Sequence, residues 1–136
     1  YRSTQHEHGG WQLFQSSRAM KYITTDKIIY HSPKWRGIEY TWGDLTITNC
    51  YVIVNEGFGC DGCTCSPDFD DAITGCITHD ALYKALREDP NCPFTRKMAD
   101  KALLRIMQKD GCKLAWVYYI TVRVAGRKHA KYVKKN

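Results

Sequence analysis

His79, Asp80 and Tyr83 fall within little more than one helical turn, and a second aspartate, Asp100, lies on the next helical stretch. A histidine titrates near neutrality and suits the removal of a proton from an attacking water. A carboxylate meeting its ring would fix the tautomer and stabilise the imidazolium that forms, and a tyrosine hydroxyl could in turn hold that carboxylate. The remaining aspartate has the oxygens that a hard cation prefers. A helix needs no ionisable groups beside its apolar face for stability, because an unpaired buried charge costs several kcal/mol or shifts its pKa. The bland alternative is a core histidine with a tyrosine packed beside it. Three polar groups, a second aspartate downstream and a glycine-rich loop upstream favour a site.

The seven cysteines admit two chemistries. Cys60-x-x-Cys63-x-Cys65 followed by Cys76-x-x-His79 offers four or five zinc ligands, at the cost of the base. The spacing is not a pair of well-separated Cys-x-x-Cys knuckles. Disulfides from this cluster to Cys50, Cys76, Cys92 or Cys112 fit better, with one thiol left over, in an oxidising, extracellular-type setting. The pairing does not follow from the sequence.

The elements that must position these residues follow from pattern. At 136 residues the expectation is a single α+β domain over 1–136, with a small N-terminal antiparallel sheet followed by a helical core of three helices. Residues 1–18 read as a polar lead-in. Residues 19–56, rich in Ile, Tyr, Thr and Val, read as a sheet of three or four strands, with Trp42-Gly43-Asp44-Leu45 as a hairpin turn. Residues 57–70, with Gly57, Gly59, Gly62, Pro67 and three cysteines, read as a glycine- and cysteine-rich metal loop. Asp68, Asp70 and Asp71 are placed to cap the following helix.

The spacing of Ile73, Cys76, Ile77, Asp80 and Tyr83 predicts a helix from about Asp71 to Arg87, ended by Pro90. Thr95 caps a second helix to about Lys109, closed by Gly111. Within 112–125 the pattern fits a strand or a helix; a buried third helix is the reading adopted, closing a helical core over 71–125. From Arg123 onward come six cations and no acidic residue, which equals the whole net charge of +6. This basic tail, 126–136, can hold an anionic lipid surface or, less favoured, nucleic acid, or be a solvated terminus. No run of about 18 apolar residues is present to span a membrane, and no signal-peptide pattern is visible from Tyr1.

His79-Asp80-x-x-Tyr83, Cys76 three positions before the histidine, Ala99-Asp100 on the next helix and the upstream Gly57-Phe58-Gly59-Cys60-Asp61-Gly62 together resemble the phospholipase A₂ superfamily. The likeness is closest to its compact viral and phage-associated members of uncharacterised function, and covers roughly residues 45–125. The resemblance implies a calcium-dependent phospholipid ester hydrolase, with His79, Asp100 and Tyr83 as the catalytic set. It places calcium on Asp80, Gly59, Asp61 and Gly62; Zn²⁺, drawn from the cysteine cluster rather than from the resemblance, is the alternative metal. It implies a phospholipid membrane surface, and other virion proteins, as partners. The secreted enzymes carry two adjacent cysteines before the histidine where this chain has only Cys76, so their disulfide framework does not transfer. The rival functions are a non-catalytic, disulfide-stapled virion structural protein and a zinc- or nucleic-acid-binding module.

Overall fold

The structure, a computed structural model, describes residues 2–8, 11–15, 22–60, 63 and 70–126. It is α+β: among the described residues, eight strands in two antiparallel sheets precede three helices. The chain divides into two compact units, residues 1–62 and 63–136. They are taken in turn.

In residues 1–62, one sheet is formed by β1 (Arg2–His8), β2 (Trp11–Gln15), β3 (Tyr22–Thr24) and β8 (Gly59–Cys60), in that order. The other has the order β4-β7-β6-β5, from β4 (Ile28–His31), β5 (Tyr40–Trp42), β6 (Leu45–Thr48) and β7 (Tyr51–Val54). The expected polar lead-in is therefore two paired strands. Its largely polar composition hid them; Trp11, which is fully buried and edge-to-face on Tyr22, marks an inward face of β2. The hairpin predicted at Trp42–Leu45 is present: Trp42 pairs with Leu45 across Gly43, whose φ is 56°. A second two-residue turn joins β6 to β7 through Asn49 and Cys50, with φ of 50° and 68°. Glu39 holds that turn by accepting from the Thr48 hydroxyl and the Asn49 amide, and these bonds keep its carboxyl below the ordinary value. The alternation Leu45, Ile47, Val52, Val54 places four apolar side chains on the buried face. Thr24 links the sheets, with its hydroxyl donating to the Asn55 carbonyl and accepting from the Phe58 amide. Trp35 is buried and Trp42 half-buried, which assigns Trp11 and Trp35 to the core rather than to a ligand-stacking surface.

In residues 63–136, α1 (Ile73–Glu88), α2 (Arg96–Lys109) and α3 (Ala115–Ala125) pack through Ala72, Cys76, Leu103, Leu104, Met107, Cys112, Ala115, Tyr118 and Val122. The N-cap of α1 is Ala72, which has no capping side chain, so Asp70 and Asp71 do not hold the N-cap expected of them; Asp68 lies outside the described residues. Thr95 caps α2 as predicted, its hydroxyl accepting from the Met98 amide. Gly111, with φ of 79°, follows its end. The segment 115–125 is a helix, but not a buried one. Ala115, Tyr118 and Val122 face inward, while Trp116, Val117, Ile120 and Val124 are exposed. A helix apolar all round reads as buried from sequence, since hydropathy alone does not say which face has a neighbour. Among the described residues no helix is long and apolar enough to cross a membrane.

Candidate active site

The site is built where α1 and α2 cross. At Gly75 a Cβ would come within 2.9 Å of Met107 Cγ and 3.3 Å of the Leu103 carbonyl, so only glycine allows this approach. One turn further along α1, His79 reaches Asp100, and one turn further again Tyr83 reaches Asp100 and Arg96. The descending partners on α2 show that the helices run antiparallel. Spacing by four puts Gly75, His79 and Tyr83 on one face, and the glycine sets how close that face comes.

Asp100, with no exposed surface, is the centre of the cluster. Its Oδ1 meets His79 Nε2 at 2.7 Å and accepts from the Tyr83 hydroxyl at 2.6 Å. Its Oδ2 accepts from Arg123 at 2.7 Å and from Arg96 at 3.5 Å. Burial by itself raises the carboxyl's pKa, but the bonds from His79, Tyr83 and Arg123 outweigh it and hold the group below the usual carboxylate range. An ionised carboxylate only accepts, so Nε2 carries the proton, and in the neutral tautomer the lone pair is on Nδ1. Burial, followed by the Asp100 bond and charge, raises the Tyr83 phenol well above its ordinary value, so it serves as a neutral donor. The Tyr83 ring lies against the imidazole with centroids 4.1 Å apart, which fixes the ring from the side.

Two arginines belong to this cluster that the sequence reading did not place there. Arg96 is buried at the start of α2 and donates to the Tyr83 oxygen, to Asp100 and to the Val122 and Arg123 carbonyls at the end of α3. A cation in the first turn of a helix opposes the macrodipole, and this was the available sequence signal: its compensation had to come from elsewhere. Arg96 instead sits at the carbonyl end of α3, where a cation is favoured, and on the carboxylate four residues along. Arg123, read from sequence as the first cation of the tail, is a half-buried partner of Asp100. At Gly126 a Cβ would stand 2.6 Å from the Tyr83 hydroxyl oxygen, so the chain leaving α3 passes directly over the phenol. Two guanidiniums on one carboxylate leave the cluster net positive while His79 is neutral.

Thus His79, Tyr83 and Asp100 come together as the sequence predicts. Asp80, next on α1, is half-buried, and its side chain is not among the groups holding Asp100. Gly59 lies in strand β8, paired opposite Ile23 of β3, rather than in an open loop; Asp61 and Gly62 lie outside the described residues. Among the described residues no group of three or more His, Cys, Asp or Glu side chains converges as a metal cage. Cys63 and Cys76 form a disulfide, which takes two of the four sulfurs needed for zinc. Cys60, also expected in a disulfide, carries a thiol, as do Cys50, Cys92 and Cys112; Cys65 lies outside the described residues. The Cys76 anchor lies one turn before His79 and ties Cys63 to the helix that bears the base.

Comparison of the chain with protein-family models, with curated proteins and with solved structures finds no match.

Proposed function

We propose that this protein is a phospholipase A₂-like hydrolase of phospholipid esters, with His79 as general base. The observation that carries the proposal is the buried His79–Asp100–Tyr83 set, in which the carboxylate accepts the Nε2–H hydrogen bond and leaves the Nδ1 lone pair for the base role. In this reading Nδ1 removes a proton from water as it attacks the ester carbonyl. Asp100 holds the tautomer and stabilises the imidazolium, and Tyr83 steadies the carboxylate and the ring. The positive balance of Arg96 and Arg123 against Asp100 favours a substrate that carries an anionic group.

Calcium dependence is part of the proposal. Bound calcium would polarise the ester carbonyl, and of the expected ligand side chains Asp80 is the described one. An extracellular or virion setting fits the Cys63–Cys76 disulfide.

The test is release of fatty acid from phospholipid vesicles with calcium and with chelator. His79→Gln should lower turnover by roughly a hundred- to ten-thousand-fold, the usual contribution of a general base, and should leave calcium binding in place. Asp80→Asn should lose calcium binding and turnover together. A wild type inert under both conditions would remove the enzyme reading. A second reading, a non-catalytic stapled module, draws on the same network, because Asp100 with Arg96 and Arg123 joins α2 to α3 and could be structural alone. Full activity in His79→Gln, or none in wild type, selects it.

A further inference from the structure

Helix α3 presents two apolar faces and only one is covered. Ala115, Tyr118 and Val122 pack against the helical core, whereas Trp116, Val117, Ile120 and Val124 are 53%, 56%, 58% and 78% exposed. At spacings of three, four and eight these four share one face, and Leu114, 44% exposed, precedes them. Singly exposed apolar residues are ordinary; a contiguous stripe that includes a tryptophan marks a binding surface.

The charges around the stripe decide its occupant. Residues 111–136 contain seven Lys or Arg and no Asp or Glu. Arg123 is engaged with Asp100, and the other six comprise exposed Lys113 just before the helix and five in the ten residues that follow Gly126. At the edge of the stripe, Lys101 of α2 lies 6.0 Å from the Trp116 ring centre and 5.2 Å from that of Tyr119, with the two rings edge-to-face. A second copy of this helix would bring like charges together, since residues 111–136 contain no Asp or Glu. An anionic lipid surface answers both features, since the apolar stripe enters the acyl boundary, Trp116 sits at headgroup level and Lys101 and Lys113 meet the phosphates.

We propose that the outer face of α3 is an interfacial docking surface for anionic phospholipid membranes. The proposal rests on the hydrolase reading only in making the bound surface also the source of substrate. It places the helix whose last turn holds Arg96, Arg123 and the approach to Tyr83 against the lipid.

The experiment uses the whole chain and vesicles of ether-linked phospholipids, which have no ester to cleave, with chelator present. Wild type should sediment with vesicles containing phosphatidylglycerol and not with pure phosphatidylcholine, less as salt rises. Its tryptophan emission should shift to the blue, and Trp116→Phe should remove that shift. Ile120→Glu and Val124→Glu, at exposed positions where folding is unaffected, should each weaken binding by about tenfold or more, since a charge on the apolar face opposes insertion. The proposal fails if wild type does not bind, if Ile120→Glu binds as well as wild type, or if wild type is a dimer in solution that Ile120→Glu separates, which would make the face a contact between copies. Turnover of a dispersed short-chain ester is measured alongside. Vesicle binding without such turnover upholds the docking surface and removes the hydrolase; turnover without vesicle binding does the reverse.

Discussion

Tyr83 meets His79, Asp100, Arg96 and the backbone of Gly126 at once, and its single hydroxyl proton is committed to the carboxylate. Loss of that hydroxyl in Tyr83→Phe removes one supporting bond, worth about 1 kcal/mol, and should reduce activity mildly. Gly126→Ala should be more damaging, because the added methyl occupies the space of a phenol that cannot retreat without leaving Asp100. Removing the hydroxyl relieves the tightest of these contacts, so the double variant Gly126→Ala/Tyr83→Phe should be more stable than the sum of the single losses predicts. A coupling of about 0.5–3 kcal/mol is the range for groups in direct contact. Urea unfolding of the four proteins measures it; strict additivity would show that Gly126 does not press on Tyr83.

At the scale of elements, the clearest local cost is in the turn between β6 and β7. Its two central residues both take positive φ, as the mirror-image turn of a tight hairpin requires, and the second is Cys50 rather than glycine. Left-handed backbone costs a residue with a Cβ roughly 1–2 kcal/mol, part of which glycine forfeits in chain entropy. Cys50→Gly should therefore raise stability by up to about 1 kcal/mol, read as a higher denaturation midpoint with an unchanged slope. A loss of stability would show that the cysteine side chain contributes more than the backbone strain removes. The helices show the opposite economy. Gly75 gives up helix propensity, about 1 kcal/mol against alanine, to let α1 approach Met107 closely enough for His79 to reach Asp100.

For the molecule as a whole, Asp100 makes stability depend on pH. Its carboxyl is held below the ordinary value in the folded state, so the stabilisation is complete above about pH 4, the unfolded value, and is lost as pH falls through the lower folded value. Thermal unfolding followed between about pH 6 and pH 2 should show this loss on acidification. Asp100→Asn should flatten that part of the profile and lower stability at neutral pH by roughly 3–5 kcal/mol, since it leaves Arg96 and Arg123 facing no charge. An unchanged acid limb in Asp100→Asn would assign the pH dependence to other carboxylates.

Local pattern was enough for the hairpin between β5 and β6, the cap of α2, the approximate extents of α1 and α2, and the face shared by His79 and Tyr83. Each depends on residues a few positions apart, whose periodicity and turn chemistry are written in the chain. The meeting of His79 with Asp100 was legible through the His-Asp-x-x-Tyr and Ala-Asp resemblance rather than through spacing, because residues 21 apart in sequence meet only if two helices cross at the right place. The tertiary structure alone decided the rest. Polar strands β1 and β2 exist because they find partners, and pairing is not a property of either sequence by itself. Arg96 and Arg123 resemble any other surface cations until α2 and α3 pack and bring both onto one buried carboxylate. Which apolar face of α3 is covered likewise depends on where its neighbours lie, since burial belongs to the packed assembly of helices and not to the helix.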